Sequence, residues 1–116
     1  GLYDRGFRHD AGRPLESMAE YALGCYTNLS LPRRAELVAS YVREYRADAL
    51  VVHSVKSCKS YSAGHPRLLE ELERRTGVPG VMLESDLVED RYFSEANLRN
   101  RIEAYFERRA AAQGRG

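Results

Sequence analysis

The sequence has few cysteines, no tryptophan and no long apolar run. It contains 116 residues and two cysteines. A small disulfide-stabilised scaffold carries more cysteines, so we expect both thiols to be free in a reducing cytoplasm. The longest uninterrupted apolar run is Ala49–Val52, whereas a transmembrane helix needs about 20 apolar residues. We therefore predict no membrane-spanning segment. We also expect no signal peptide, because the first residues do not combine a charged and an apolar region.

The sequence also lacks an excess of charge of one sign. Its 18 basic and 17 acidic residues give a net charge of +1. Proteins that bind nucleic acid usually concentrate basic residues on one face, so the composition predicts no nucleic-acid partner. Hydrophobic residues make up 43% of the chain, which is enough for a core and argues against disorder. The length predicts a single domain over residues 1–116.

Four segments have apolar residues at helical spacing. The first runs from Pro14 to Gly24, with proline and glycine where helices commonly begin and end. The other helices are predicted at 32–46, 66–77 and from Ser94 onward, with residues 1–12 as loop and 110–116 as a frayed tail. The residues expected to face the core or an interface are Leu15, Met18, Ala19, Ala22 and Leu23 in the first helix, and Tyr41 and Tyr45 in the second.

Two short apolar runs, Ala49–Val52 and Val81–Leu83, are typical of strands buried on both faces. The order helix, helix, strand, helix, strand, helix predicts an α/β layer with a parallel strand pair. Two strands alone cover their faces and edges poorly. We therefore expect the sheet to be incomplete, either as a piece of a larger α/β domain or by pairing with another chain.

The segment 53–64 is rich in serine, and we expect it to be a long loop at the carboxyl end of the first strand, where such sheets bind ligands. Cys58 lies there between Lys56 and Lys59 and before a predicted helix, an environment that favours the thiolate. A metal ligand, a redox nucleophile and a free cysteine without a role all fit this spacing, since no C-x-x-C motif is present. His53 is expected to be a hydrogen-bonding residue or a ligand contact.

The remaining polar candidates have weaker signals. Cys25 is expected to be a packed cysteine that could approach Cys58 in space. His65 and the leading-loop His9 are expected to be solvated. Glu84 and Asp86 follow the second strand, where they could act as an acid–base pair or cap a helix.

Several of these segments together resemble the 2-hydroxyacyl-CoA dehydratase and benzoyl-CoA reductase family. The similarity lies in the 53–64 segment HSVKSCKSYSAG, in the glycine-x-proline entry at 77–79, and in the acidic strand end at 84–86. It continues in the helix 99–105, with sequence RNRIEAY. The resemblance covers residues 14–109 and corresponds to the C-terminal part of the family's D-component subunit.

The resemblance implies a three-layer, flavodoxin-like parallel sheet, incomplete in this chain because the family's subunits have two α/β domains. Paired subunits in that family hold iron–sulfur clusters through cysteines. They dehydrate 2-hydroxyacyl-CoA thioesters or reduce aromatic acyl-CoA rings by one-electron chemistry. An ATP-dependent activator protein with its own cluster supplies the electron. The resemblance thus implies a homologous partner subunit, this activator, and an acyl-CoA substrate.

By position in this family, Cys58 is expected to be a ligand of a [4Fe–4S] cluster, and His53, Ser62 and Gly64 to contact the acyl-CoA. The resemblance assigns no catalytic residue. Two cysteines cannot hold such a cluster alone, because it needs about four ligands. His65 stands where the family pattern has glutamine, which weakens the substrate contacts of this turn. The alternatives are a non-catalytic docking module without a cluster, and a thiol redox protein that uses Cys58.

Overall fold

The fold is an α/β layer built around two parallel strands. The computed structural model describes residues 2–86 and 88–114, without the side chains of residues 3 and 4. Within them the elements are α1 (Leu2–Arg5), α2 (Pro14–Gly24), α3 (Leu31–Glu44), β1 (Leu50–Val55), α4 (Lys59–Ser62), α5 (His65–Thr76), β2 (Gly80–Ser85) and α6 (Glu95–Gln113), with short 3-10 turns at Tyr26–Asn28 and Asp90–Tyr92. The predicted α/β class is confirmed.

The two strands pair in parallel from Leu50 opposite Gly80 to Val55 opposite Ser85. Helices α3 and α5 pack on each other and α5 packs on the sheet, whereas α6 packs along β2. This small sheet is consistent with an incomplete flavodoxin-like sheet. The core between α3, α5 and β1 is formed by Ala35, Ala39, Val42, Leu50, Leu68 and Leu72.

Two long side chains of α6 bond to β2 and to the residue that precedes it. Tyr105 is buried, and its hydroxyl donates to the Pro79 carbonyl at 2.6 Å. Arg101 donates from Nε and Nη2 to the Met82 carbonyl at 3.0 and 2.8 Å. Ser94 begins the helix as predicted, because its hydroxyl accepts from the Asn97 amide at 3.3 Å. The amide of Asn97 would otherwise lack an intrahelical partner.

The strands are longer than predicted, and the predicted loop 53–64 is largely ordered structure. His53–Val55 continues β1, because the pairing with β2 extends to Ser85. Residues Lys59–Ser62 then form the short helix α4. The irregular connection is therefore reduced to the few residues on either side of α4.

The predicted ends of the chain were also wrong in part. The short helix α1 (Leu2–Arg5) lies within the segment expected to be loop. At the other end, α6 continues to Gln113 rather than fraying from Ala110, since three consecutive alanines have high helix propensity. Residues 115 and 116 of the predicted tail, and Gly1, lie outside the described residues.

Helix α2 does not bury the apolar face predicted for it. Leu15, Met18 and Leu23 are exposed, and the buried residue of this helix is Ser17. The reason is that α2 packs mainly against the Tyr26–Asn28 turn and does not reach the core. Tyr45, the residue that follows α3, is likewise exposed. Within the described part of the chain, none of the helices has the length and apolar character needed to cross a bilayer.

Candidate functional site

A cavity of about 480 Å³ lies at the carboxyl end of β1. Its walls come from β1, from α4 with the residue before it, and from the 3-10 turn that precedes α3. Ligands of open α/β sheets bind at this edge. The lining residues are Thr27, Asn28, His53, Val55, Cys58, Ser60 and Tyr61.

Cys58 is the half-buried residue that begins α4. Its amide donates to the Val55 carbonyl at 3.1 Å, and its Sγ lies 3.6 Å from the Ser60 Oγ. Helix α4 has four residues, so its dipole is far smaller than that of the longer helix expected from the sequence. The ammonium of Lys56 lies 4.6 Å from the Tyr92 ring centroid. One of the two expected basic neighbours is thus engaged with an aromatic ring.

His53 links the two strands at the cavity. Its imidazole Nε2 is 2.5 Å from the Ser85 hydroxyl on β2. The two residues lie at the carboxyl ends of neighbouring strands, where parallel pairing brings them to one edge. This side chain has the hydrogen-bonding role expected from the sequence, and it also lines the cavity.

Asp86 ties the loop after β2 to the loop that carries Cys58. Its carboxylate accepts from the Ser57 amide at 2.8 Å and from the Ser57 hydroxyl at 3.0 Å. It also accepts from the amides of Val88 at 3.0 Å and Glu89 at 3.3 Å. The Val88 amide, together with the two Ser57 donors, lowers the pKa of Asp86 below its ordinary 3.8. The side chain is therefore held as a carboxylate.

Sequence reasoning paired Asp86 with Glu84 and did not find this connection. Glu84 is exposed, and its side chain makes no hydrogen bond or ion pair among the described residues. The two carboxylates therefore do not form the predicted acid–base pair, and Asp86 organises loops rather than capping a helix. The sequence did contain a signal for this contact. Ser57 and Asp86 each follow one strand of a parallel pair, and the carboxyl ends of such strands lie side by side.

Ser62 and Gly64 lie near the cavity but do not line it. The Ser62 hydroxyl accepts from the Val55 amide at 2.8 Å and donates to the Val55 carbonyl at 2.7 Å. Gly64 precedes α5 with φ of 78°, and a Cβ there would lie 2.9 Å from Leu31 Cδ1. Both residues thus shape the turn around α4, and their contacts with a substrate remain predictions.

His65 is buried, not solvated as predicted, because the first turn of α5 packs against α3. Only 2% of its surface is exposed, and its Nδ1 has no hydrogen-bond partner among the described residues. The ring packs edge-on against Tyr61 with 5.2 Å between centroids. Burial lowers the pKa of His65, and the positive charges of Arg34 and His53 lower it further.

Arg34 is a buried residue of α3 that sequence reasoning missed. Its Nε donates to the Leu29 carbonyl at 2.9 Å and its Nη2 to the Thr27 carbonyl at 2.6 Å. The guanidinium also lies 5.3 Å from the Tyr26 ring centroid. It therefore holds the cavity wall at Thr27. Its neighbour Arg33 is exposed, and no sequence pattern distinguishes the two.

The chain offers one thiol to the cavity. Cys25 is half-buried, but its Sγ donates to the Tyr21 carbonyl at 3.4 Å and it is not among the lining residues. In residues 2–86 and 88–114, no three His, Cys, Asp or Glu side chains lie close enough to hold a metal ion together. A cluster with about four ligands could take Cys58 as one ligand here, with the others from outside this cavity.

Comparisons with known proteins identify the relatives of this chain. The family model of the 2-hydroxyglutaryl-CoA dehydratase D-component matches residues 2–108. One of the subunits of benzoyl-CoA reductase from Thauera aromatica is 55% identical over 107 residues, which is 92% of this chain and 25% of that protein. The alpha subunit of lactoyl-CoA dehydratase from Anaerotignum propionicum is 29% identical over 80% of this chain and 22% of that protein.

A third relative, the alpha subunit of (R)-phenyllactyl-CoA dehydratase from Clostridium sporogenes, is 30% identical over 69% of this chain and 20% of that protein. The chain therefore spans a quarter or less of the length of these relatives. The family match covers the strands, the cavity and most of α6. On this match, the chain belongs to the 2-hydroxyglutaryl-CoA dehydratase D-component family.

Proposed function

We propose that this chain is part of an iron–sulfur acyl-CoA dehydratase or benzoyl-CoA reductase-like subunit, in which Cys58 donates one thiolate to a [4Fe–4S] cluster. The observation that carries the proposal is the position of Cys58. It is half-buried in a cavity at the carboxyl end of β1, where open α/β sheets bind ligands. The 55% identity to a polypeptide of benzoyl-CoA reductase supports the same assignment.

The residues around Cys58 suit a single thiolate ligand. Ser60 provides a hydroxyl 3.6 Å from the sulfur, and hydrogen bonds to ligand sulfurs tune the potential of a cluster. Asp86 and Ser62 hold the loop on either side of the thiol. A bound cluster would supply one-electron transfer to an acyl thioester. The remaining ligands are assigned to parts of the family's subunit outside these residues. The proposal also includes a homologous partner subunit.

The rest of the proposed assembly follows from the same assignment. An ATP-dependent activator protein with its own cluster delivers the electron, and an acyl-CoA is the substrate. We assign the cavity contact with this substrate to His53, whose imidazole lines the cavity. Ser62 and Gly64 are proposed to support the same pocket through the α4 turn. The oxygen-sensitive chemistry of such a cluster is compatible with a reducing cytoplasm.

The test compares Cys58→Ser with Cys25→Ser. Each variant carries an affinity tag and is isolated without oxygen from the native source, together with the polypeptides that bind it. Iron and acid-labile sulfide are then measured per assembly. We expect Cys58→Ser to lose cluster iron and Cys25→Ser to retain the wild-type content, because Cys25 lies outside the cavity lining.

Other outcomes would contradict the proposal in distinguishable ways. Equal iron in both variants would exclude Cys58 as a ligand. A wild-type assembly that contains a companion polypeptide and no iron would indicate the docking module. Rapid alkylation of Cys58 in such an iron-free assembly, with reversible oxidation of the thiol, would indicate the thiol redox protein.

A further inference from the structure

The loops that follow β1 and β2 are joined at three places. The Lys56 amide donates to the Ser85 carbonyl at 3.1 Å. The Asp86 carboxylate accepts from both the amide and the hydroxyl of Ser57. The Lys56 ammonium lies over the ring of Tyr92. Cys58 immediately follows the residue that Asp86 holds, so the position of the thiol depends on this junction.

The Asp86 carboxylate accepts hydrogen bonds from both loops of the junction. Its Oδ2 accepts from the Ser57 amide, while its Oδ1 accepts from the Ser57 hydroxyl and from the amides of Val88 and Glu89. Bonds to a carboxylate are stronger than those between neutral groups. Loss of this acceptor would leave the amides of two loops without partners at the same time.

We propose that Asp86 is a positioning residue that holds Cys58 at the cavity by fixing the Ser57 backbone to the loop after β2. The far end of the segment has its own attachment, since Ser62 bonds both backbone groups of Val55. With the Asp86 contact removed, the segment before α4 keeps two backbone bonds, from the Lys56 amide to Ser85 and from the Cys58 amide to Val55. The Cys58 thiol is then held less firmly and leaves the cavity wall more often, while α4 stays on β1. This role does not depend on which chemistry Cys58 performs.

The test is the rate at which iodoacetamide alkylates Cys58 in a Cys25→Ser chain, read by mass spectrometry of the modified peptide. Asp86→Asn is compared with Glu84→Gln, which also removes one negative charge near the end of β2 but breaks no side-chain hydrogen bond among the described residues. We expect alkylation to accelerate about tenfold in Asp86→Asn, the change in an opening equilibrium that losing a charged hydrogen bond produces. Glu84→Gln should alkylate at the parent rate.

Two further variants separate positioning from general loss of structure. Ser57→Ala removes the hydroxyl contact and keeps the amide contact, so we expect a smaller acceleration than in Asp86→Asn. Asp86→Glu keeps a carboxylate and should restore part of the slow rate. Hydrogen exchange of the Ser57 amide should follow the same order, while the core amides of α5 stay protected. Equal rates in Asp86→Asn and Glu84→Gln, or no recovery in Asp86→Glu, would overturn the proposal.

Discussion

The hydroxyl of Ser62 bonds both backbone groups of Val55, accepting from its amide and donating to its carbonyl. Val55 is the last residue of β1 and is 8% exposed. Strand edges leave such groups unpaired unless another element covers them. A single side chain of α4 thus bonds the last backbone groups on the outer edge of β1. The sequence predicted only a serine-rich loop in this segment.

Replacing Ser62 by alanine should therefore destabilise the chain. The variant leaves the buried amide of Val55 without its partner, whereas the Val55 carbonyl still accepts from the Cys58 amide. We expect the free energy of unfolding to fall by about 1–3 kcal/mol. Urea denaturation measures this change. Ser60→Ala is the matched control on the same helix, with an expected change within about 0.5 kcal/mol. Equal losses in the two variants would mean that the Val55 contact contributes little.

Gly64 and Gly77 give a second matched comparison, because they bound α5 with φ of 78° and 69°. A Cβ at Gly77 would meet nothing within 4 Å, whereas one at Gly64 would lie 2.9 Å from Leu31 Cδ1. We expect Gly77→Ala to cost about 1–2 kcal/mol from the left-handed backbone alone. Gly64→Ala should cost more, because Leu31 must also move. Thermal unfolding of both variants measures the two losses of stability. A smaller loss in Gly64→Ala than in Gly77→Ala would contradict the prediction.

His65 should make stability depend on pH. The pKa of His65 in the folded chain lies below the ordinary value of 6.5. As pH falls, the unfolded chain therefore binds the proton before the folded chain does. The stability that His65 contributes is complete above pH 6.5 and is lost as pH drops from there toward the folded pKa. The groups facing it are Arg34, His53 and Tyr61, and none of the three is a carboxylate.

The measurement is urea denaturation at about pH 7.5 and about pH 5.5, a range in which an unperturbed histidine titrates. We expect wild type to lose more stability between these values than His65→Gln, because glutamine cannot be protonated. The same measurement on His9→Gln is the control for the loss of a histidine at an exposed position. An identical pH dependence in wild type and His65→Gln would contradict the prediction.

Adjacent arginines on α3 should respond differently to the same substitution. Arg34 donates to two backbone carbonyls, and lysine cannot reproduce this fork. We expect Arg34→Lys to cost about 1–2 kcal/mol and to loosen Thr27 at the cavity wall, which amide hydrogen exchange would detect. Arg33 makes an exposed ion pair with Glu36, so Arg33→Lys should change stability by less than about 0.5 kcal/mol. Similar effects of the two substitutions would disprove the distinction.

The sequence predicted those features that depend on local spacing. Proline, glycine and serine marked the ends of α2, α5 and α6, and the two apolar runs predicted the parallel strands. It did not predict which helix reaches the core, since α2 has an apolar stripe but packs on a turn. It also missed contacts between distant segments. Asp86 binds a residue 29 positions away, and the burial of Arg34 and His65 depends on packing between helices.

The hydrogen bonds between Ser62 and Val55 also limit how another strand can pair with this sheet. Leu50 and Lys56 donate their amides toward β2, so by alternation Val51, His53 and Val55 direct theirs to the outer side. Val55 is already satisfied by Ser62, and Val51 and His53 have no partner there among the described residues. A strand added at this edge can therefore pair with Val51 and His53 but not with Val55. Ser62 therefore restricts the pairing of an added strand to the part of β1 that precedes Val55.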